Sequence, residues 1–204
     1  MTAIGSITGI PVEELTPAVA AELARLGDEN ALLRAAAADL RARLEALETT
    51  SERDPLTGLP NRAAFMRSLD RAVSQANRYG TPAALLYLDI DGLDALNARH
   101  GEVAGDAALI HVARQLDQLV RTSDFAARVG DDEFGMLLDH LDGESAIETA
   151  ERIGRCIGDA PLDLGAAQVK VAVTVGVATI LRGDSVEDVN RRGELTMRKA
   201  KLAA

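Results

Sequence analysis

Residues 121–138, RTSDFAARVGDDEFGMLL, constrain the fold of this chain more than any other stretch. Phe125 and Val129 lead into Gly130-Asp131, a turn dipeptide, and Phe134, Met136 and Leu138 alternate with other residues on the way out. This pattern predicts a β-hairpin with strands over 125–129 and 132–138. Asp131, Asp132 and Glu133 sit at or just past the turn, where carboxylates project from a rigid edge. A second acidic group, LDID at 88–91, ends the apolar run AALLYL at 83–88. Two strand-end carboxylate groups placed side by side suit a divalent ion and a polyphosphate. On spacing alone the plainer alternative stands beside it: Gly-Asp is a good turn, and the acids are solvated.

The rest of the chain supplies layers for that hairpin. Ala83–Ile90 is apolar almost throughout, which predicts a central strand covered on both faces. Asn61 is placed to cap a helix over 62–79, and Ser185 to cap one ending near Leu202. Further helices are expected from the LDID segment to Asn97, over 105–121 and over 144–158. Gln168–Ile180, with Val169, Val171, Val173 and Val175, reads as one long strand. The expected class is therefore α/β (α+β), with a central mixed or mainly antiparallel sheet flanked by helices. Apolar residues make up 47% of the chain, enough for a core. A net charge of −10 argues against a nucleic-acid polymer or an anionic membrane surface as partner, while leaving room for a local basic pocket around one small nucleotide. Cys156 is the one cysteine and has no intrachain partner for a disulfide; it is expected in the core. His100, His111 and His140 lack metal-ligand spacing and are expected at the surface or in loops. No stretch resembles a signal peptide or a spanning segment, so the expected location is cytoplasmic.

Ahead of this domain lies a different pattern. Residues 1–15 carry Gly, Ser, Thr and Pro without a period and read as a flexible tail. Thr16-Pro17 is a helix start. Val19, Leu26, Leu33, Leu40 and Leu47 then recur every seven residues, with Leu23, Asn30, Ala37 and Leu44 between them. This a/d pattern over residues 16–53 predicts a parallel two-stranded coiled coil, Asn30 fixing register and Glu29–Arg34′ and Arg43–Glu48′ attracting across the pair. A lone amphipathic helix packed on its own domain is the alternative. Asp54-Pro55 breaks the helix and opens a domain over 54–204.

Within 54–204 several motifs occur in order: DPLTGLPNR at 54–62, LDIDGLDALN at 88–97, GEVAGD at 101–106, RTSD at 121–124 and RVGDDEF at 128–134. Together they resemble the GGDEF domain, the diguanylate cyclase family. The resemblance implies a palm-like nucleotidyl-cyclase fold. It also implies a reaction in which two GTP molecules, one on each subunit of a dimer, are joined to cyclic di-GMP with loss of pyrophosphate, assisted by Mg²⁺ or Mn²⁺. By motif, Asp89, the carbonyl of Ile90 and Asp132 would hold metal, and Glu133 belongs to the same catalytic motif. Asn97 and Asp106 would bond the guanine, and Lys201 would touch phosphate. The signature is degenerate: Gly130-Asp131-Asp132-Glu133-Phe134 has Asp131 where the family has a second glycine. Asp94 stands where the family has a phosphate-binding lysine, and GELTMRKAK replaces the usual final helix motif. Each like-charge contact of that kind costs roughly 3–4 kcal/mol at 4–6 Å and an effective dielectric near 20, before screening.

A second family site matches in type and spacing. Arg121 and Asp124 form the R-x-x-D inhibitory motif that binds cyclic di-GMP, and Arg152 stands where a further arginine joins it. Guanidinium groups fork onto phosphate, and a carboxylate accepts guanine N–H groups; a simple local salt bridge is the competing reading of R-x-x-D. Three functions follow from the resemblance. The first is a cyclic di-GMP receptor with a weak or inactive cyclase site, working as a homodimer with a protein partner. The others are an active diguanylate cyclase and a GTP-binding regulatory module.

Overall fold

The apolar run in the middle of the chain becomes a strand whose eight residues are all buried, and the domain is arranged on it. The computed structural model describes residues 16–50, 52–165 and 167–203. In chain order the elements are α1 (Pro17–Thr50), α2 (Arg62–Tyr79), β1 (Ala83–Ile90), α3 (Leu93–His100), α4 (Glu102–Leu119), β2 (Phe125–Arg128) and β3 (Glu133–Asp139). Then come α5 (Gly143–Asp159), β4 (Leu162–Asp163), β5 (Gln168–Val169), β6 (Val173–Ile180) and α6 (Val186–Ala203). Helix α1 belongs to one compact unit and the residues from Ser51 onward to another. Among the described residues no helix is long and apolar enough to cross a membrane.

Helix α1 starts where Thr16-Pro17 indicated, the Thr16 hydroxyl accepting from the Val19 amide at 3.4 Å. Its heptad residues Val19, Leu26, Leu33 and Leu40 are exposed on the single chain. The expected tail over 1–15 lies outside the described residues, as do the side chains of Arg43, Leu44, Leu47 and Glu48.

In the second unit four strands pair in the order β2-β3-β1-β6, every neighbour antiparallel. Side chains alternate across β1, so its two faces bury separate cores. Leu86 and Leu88 pack with Phe134, Met136, Val112 and Leu116 of α4 and Ile153 and Ile157 of α5. Leu85 and Tyr87 pack with Phe65 and Leu69 of α2 and with Val189 and Met197 of α6. Asp89, two residues after Tyr87, faces the α2/α6 side. Fully burying each large apolar side chain contributes about 1.5–3 kcal/mol, so these two layers fix where β1 ends and where Asp89 sits.

Local signals fix the helix starts. Asn61 accepts from the Ala64 amide at 3.0 Å, Asp142 caps α5 from the Ser145 amide, and Ser185 accepts from the Asp188 amide at 3.1 Å. Four expectations are corrected. The turn of the central hairpin spans 129–132, with strands 125–128 and 133–139; neither Gly130 nor Asp131 has the positive φ of a two-residue hairpin turn. The long strand expected over 168–180 is broken: β5 pairs with β4 in a separate two-stranded sheet, and only β6 joins β1. Cys156 is half-buried rather than core. His111, on α4, is also half-buried, with Nε2 2.9 Å from the Ala160 carbonyl.

Candidate nucleotide and metal site

The end of the sheet gathers carboxylates because three strands finish in register. Asp89 on β1 lies opposite Glu133 on β3 and Thr174 on β6. The Ile90 amide donates to the Asp132 carbonyl at 3.1 Å, which draws the start of β3 against the end of β1. Asp91 accepts from the Thr174 hydroxyl at 2.7 Å. Asp89 is 5% exposed, and its carboxylate accepts from the Lys201 ammonium at 2.5 Å. Burial pushes the Asp89 carboxyl above its ordinary range; Lys201 opposes that and the charge of Asp132 adds to it. Glu133 is also raised, by burial first and then by Asp132 and Asp89. Lys201 on Asp89 and Arg62, whose charge acts on Glu133, offset only part of this negative charge.

The loop that carries Asp131 and Asp132 is held from below by Arg128. Its guanidinium donates to the Gly130 carbonyl at 3.1 Å and the Asp131 carbonyl at 2.8 Å, and it pairs with Asp54 at 3.2 Å. Asp54 also accepts from the amide and hydroxyl of Thr57. Burial works to raise its pKa, but Thr57 and Arg128 outweigh burial and hold it below the ordinary value. Gly130 sits close under Glu133: a Cβ there would lie 2.8 Å from Glu133 Oε2 and 3.1 Å from its Cβ, so the glutamate side chain would have to shift. At Asp131 the backbone makes no such demand; its φ is not positive, and the side chain is exposed.

Beside the carboxylates, Asn97 of α3 meets α4. Its Oδ1 is buried with no hydrogen-bond partner among the described residues. A Cβ on Gly105 would lie 2.0 Å from that atom, so only glycine leaves room for the amide. Asp106, next along α4, is exposed. Asp94 sits exposed in the first turn of α3, where a negative charge complements the helix dipole.

At the other end of β2, Asp124 accepts from the Arg121 amide at 3.1 Å and from the Asp139 amide at 3.4 Å. The Arg121 side chain is exposed, and no ion pair involves it among the described residues. Asp124 lines a pocket of about 270 Å³ with Ser68, Arg71 and Gln75 of α2 and with Thr122 and Ser123. Arg152 lines a different, shallow cavity on α5 with Glu148, Glu151 and Arg155.

A sequence model of the family described as "Diguanylate cyclase, GGDEF domain" matches residues 51–204. The chain belongs to this family. Diguanylate cyclase TpbB of Pseudomonas aeruginosa is 36% identical over 164 residues, 78% of this chain and 38% of TpbB; the chain spans less than half of that curated relative. Among solved structures, the coiled coil and GGDEF domain of DgcB from Caulobacter crescentus, in complex with c-di-GMP, superposes with a TM-score of 0.71 at 29% identity, covering 89% of this chain and 94% of that one. Diguanylate cyclase SiaD of P. aeruginosa, solved with its activator SiaC, gives 0.72 at 28% identity, covering 90% and 70%.

Within this GGDEF domain, Asp89, Ile90, Asp132, Glu133 and Lys201 come together at one sheet end, with Asn97 on the adjoining helix. Lys201, expected to touch phosphate, pairs with Asp89, because the last turn of α6 reaches the buried end of β1. Arg121 and Asp124 share one loop, while Arg152 borders its own cavity. The donor set suits a hard cation of the Mg²⁺ type: carboxylates carrying uncompensated charge and a backbone carbonyl. Among the described residues no three acidic, histidine or cysteine side chains converge into a preformed cage. An ion here would take few protein ligands and complete its shell elsewhere, as Mg²⁺ commonly does. Two residues escaped the sequence reading. Arg128 acts through contacts 74 residues away in the chain, and Arg71 looks like an ordinary exposed helix arginine. Only the position of Arg128 inside RVGDDEF hinted at a role.

Proposed function

We propose that this chain is a cyclic di-GMP signalling protein whose GGDEF domain binds the dinucleotide at Arg121 and Asp124, with Arg152 bordering a separate cavity on α5, and makes it from GTP only weakly or not at all. The observation that carries this reading is the charge at the sheet end. Asp89, Asp91, Asp132 and Glu133 are set against Lys201, already paired with Asp89, and Arg62, while Asp94 and Asp131 add exposed charge on the adjoining helix and turn. Since Asp131 is not backbone-strained, its effect on a triphosphate is charge and bulk, and the hairpin itself is preserved. Mg²⁺ or Mn²⁺, held by Asp89, Asp132 and the Ile90 carbonyl, would neutralise phosphate charge and orient it. Around it, this chain's own residues bind, orient and repel. The exposed Arg121 beside a fixed Asp124 offers a forked cation and a guanine-accepting carboxylate together. That the related DgcB structure contains c-di-GMP supports the ligand class.

A second reading rests on Asn97. A buried carbonyl oxygen without a donor is costly, and an N–H of guanine would supply one. GTP held without turnover is therefore a regulatory state open to the same domain. The exposed Leu seam of α1 supports a parallel homodimer, and the SiaD–SiaC complex supports a protein partner.

Incubation with GTP and Mg²⁺ or Mn²⁺, followed by nucleotide analysis, tests the catalytic half of the proposal. The expected product is no cyclic di-GMP, or a trace. Asp131→Gly combined with Asp94→Lys is expected to tighten GTP binding or restore some turnover. Steady turnover by the wild type, abolished by Asp89→Ala, would contradict the proposal.

A further inference from the structure

We infer that Lys201 is the resident cation of the carboxylate site: its ammonium holds Asp89 until a divalent ion competes for that oxygen, so ion binding requires Lys201 to swing away. The inference rests on the assignment of Asp89 and Asp132 as ion ligands. The Lys201 Nζ to Asp89 Oδ1 distance is 2.5 Å, and Lys201 is the one side chain that donates to Asp89 among the described residues. Asp89 is buried, with a side chain 6% exposed, and Asp132 and Asp91 lie close enough to raise its proton affinity. A buried carboxylate in such company is strongly unfavourable when left alone, so some cation must accompany it in the ligand-free protein.

The geometry supplies that cation from an anchored helix and a loose stem. Met197 and Val189 of α6 are buried against Leu85 and Tyr87 of β1. The Tyr87 hydroxyl donates to Asn190 at 2.6 Å, and Arg192 grips Asp184 and the Thr179 carbonyl. These contacts fix the helix over the sheet, while the Lys201 side chain remains 47% exposed. A lysine ammonium is a point charge on a flexible four-carbon stem, so it can leave Asp89 without moving α6. Its departure is favoured because a monovalent and a divalent cation held on one buried carboxylate repel each other at short distance. Once displaced, the ammonium is free to meet an anion such as a phosphate, which would make ion and anion binding mutually favourable.

Mn²⁺ titration, read by the electron paramagnetic resonance signal of the free ion and by calorimetry without nucleotide, tests this on the full chain. Lys201→Met is expected to bind Mn²⁺ about tenfold more tightly than the wild type, the fold-change for losing one partly exposed charge-assisted competitor. Lys201→Arg, which keeps the charge, is expected to bind no more tightly than the wild type. Asp89→Asn should abolish binding in every background. Circular dichroism verifies that the variants fold. Equal or weaker binding by Lys201→Met, with the wild type binding Mn²⁺, would overturn the competition and leave the ion site standing. The same holds if Lys201→Arg gains as much as Lys201→Met. Absence of Mn²⁺ binding in both the wild type and Lys201→Met would overturn the ion assignment and the inference together.

Discussion

At the scale of single residues, Arg128 and Asp54 explain why the altered signature still folds. Their pair is largely buried, with side chains 16% and 15% exposed, and the same guanidinium carries two carbonyls of the 129–132 turn. Removing the Asp54 charge leaves Arg128 partly buried without its counterion, so Asp54→Asn should cost about 1–3 kcal/mol at pH 7. The pH dependence has a definite sign. Burial pushes the Asp54 pKa up, but Thr57 and Arg128 pull it further down, so the folded value lies below the unfolded one. Its stabilisation is therefore fully present above the unfolded value of about 3.9 and is lost as pH falls through the folded value. In denaturant unfolding, the gap between wild type and variant should stay constant from pH 7 to about 5 and close below about 4. A gap unchanged near pH 3 would refute the role given to Asp54. Residue types were legible here, but pairings were not. DPLTGLPNR and RVGDDEF both stand out in the sequence, yet nothing in either says that an arginine in one holds an aspartate in the other.

At the scale of elements, strong periodicity was readable and short or interrupted pieces were not. The apolar run at 83–90 gives β1 to the residue, and Asn61 and Ser185 cap the helices expected of them. By contrast, β4 is two residues long and carries no detectable period. Around residues 170–172 the valine alternation continues while the backbone leaves the main sheet, because Val171 is buried in the core by another route. Gly130-Asp131 misled for a related reason: the dipeptide suits a tight two-residue turn, but neither residue has the positive φ of one, and Gly130 instead sits close under Glu133. Helix α1 offers a prediction of its own. Val19, Leu26, Leu33 and Leu40 are exposed on the single chain, and a seven-residue repeat of that kind is buried by pairing with a second copy. Light scattering should find a dimer in the wild type and a monomer after Leu33→Asp with Leu40→Asp. A dimer that survives both changes would exclude the coiled coil as its basis.

At the scale of the whole molecule, the chain carries a net charge of −10 and is proposed to bind an anionic dinucleotide. Affinity must then come from a few placed cations instead of a general field, and Arg121, exposed and in no ion pair among the described residues, stands beside a fixed carboxylate. The end of the sheet that carries Asp89 is the reverse case, acidic and with its lysine engaged. The two ends lie on opposite sides of the hairpin, so losing one need not disable the other. Calorimetry with cyclic di-GMP tests this division most directly, applied to the wild type, Arg121→Ala and Asp89→Ala. The wild type is expected to bind at micromolar concentration or tighter, and Asp89→Ala to bind equally well. Arg121→Ala should lose about ten- to hundredfold in affinity, the cost of one charge-assisted contact. No binding by the wild type, or equal binding by Arg121→Ala, would contradict the account.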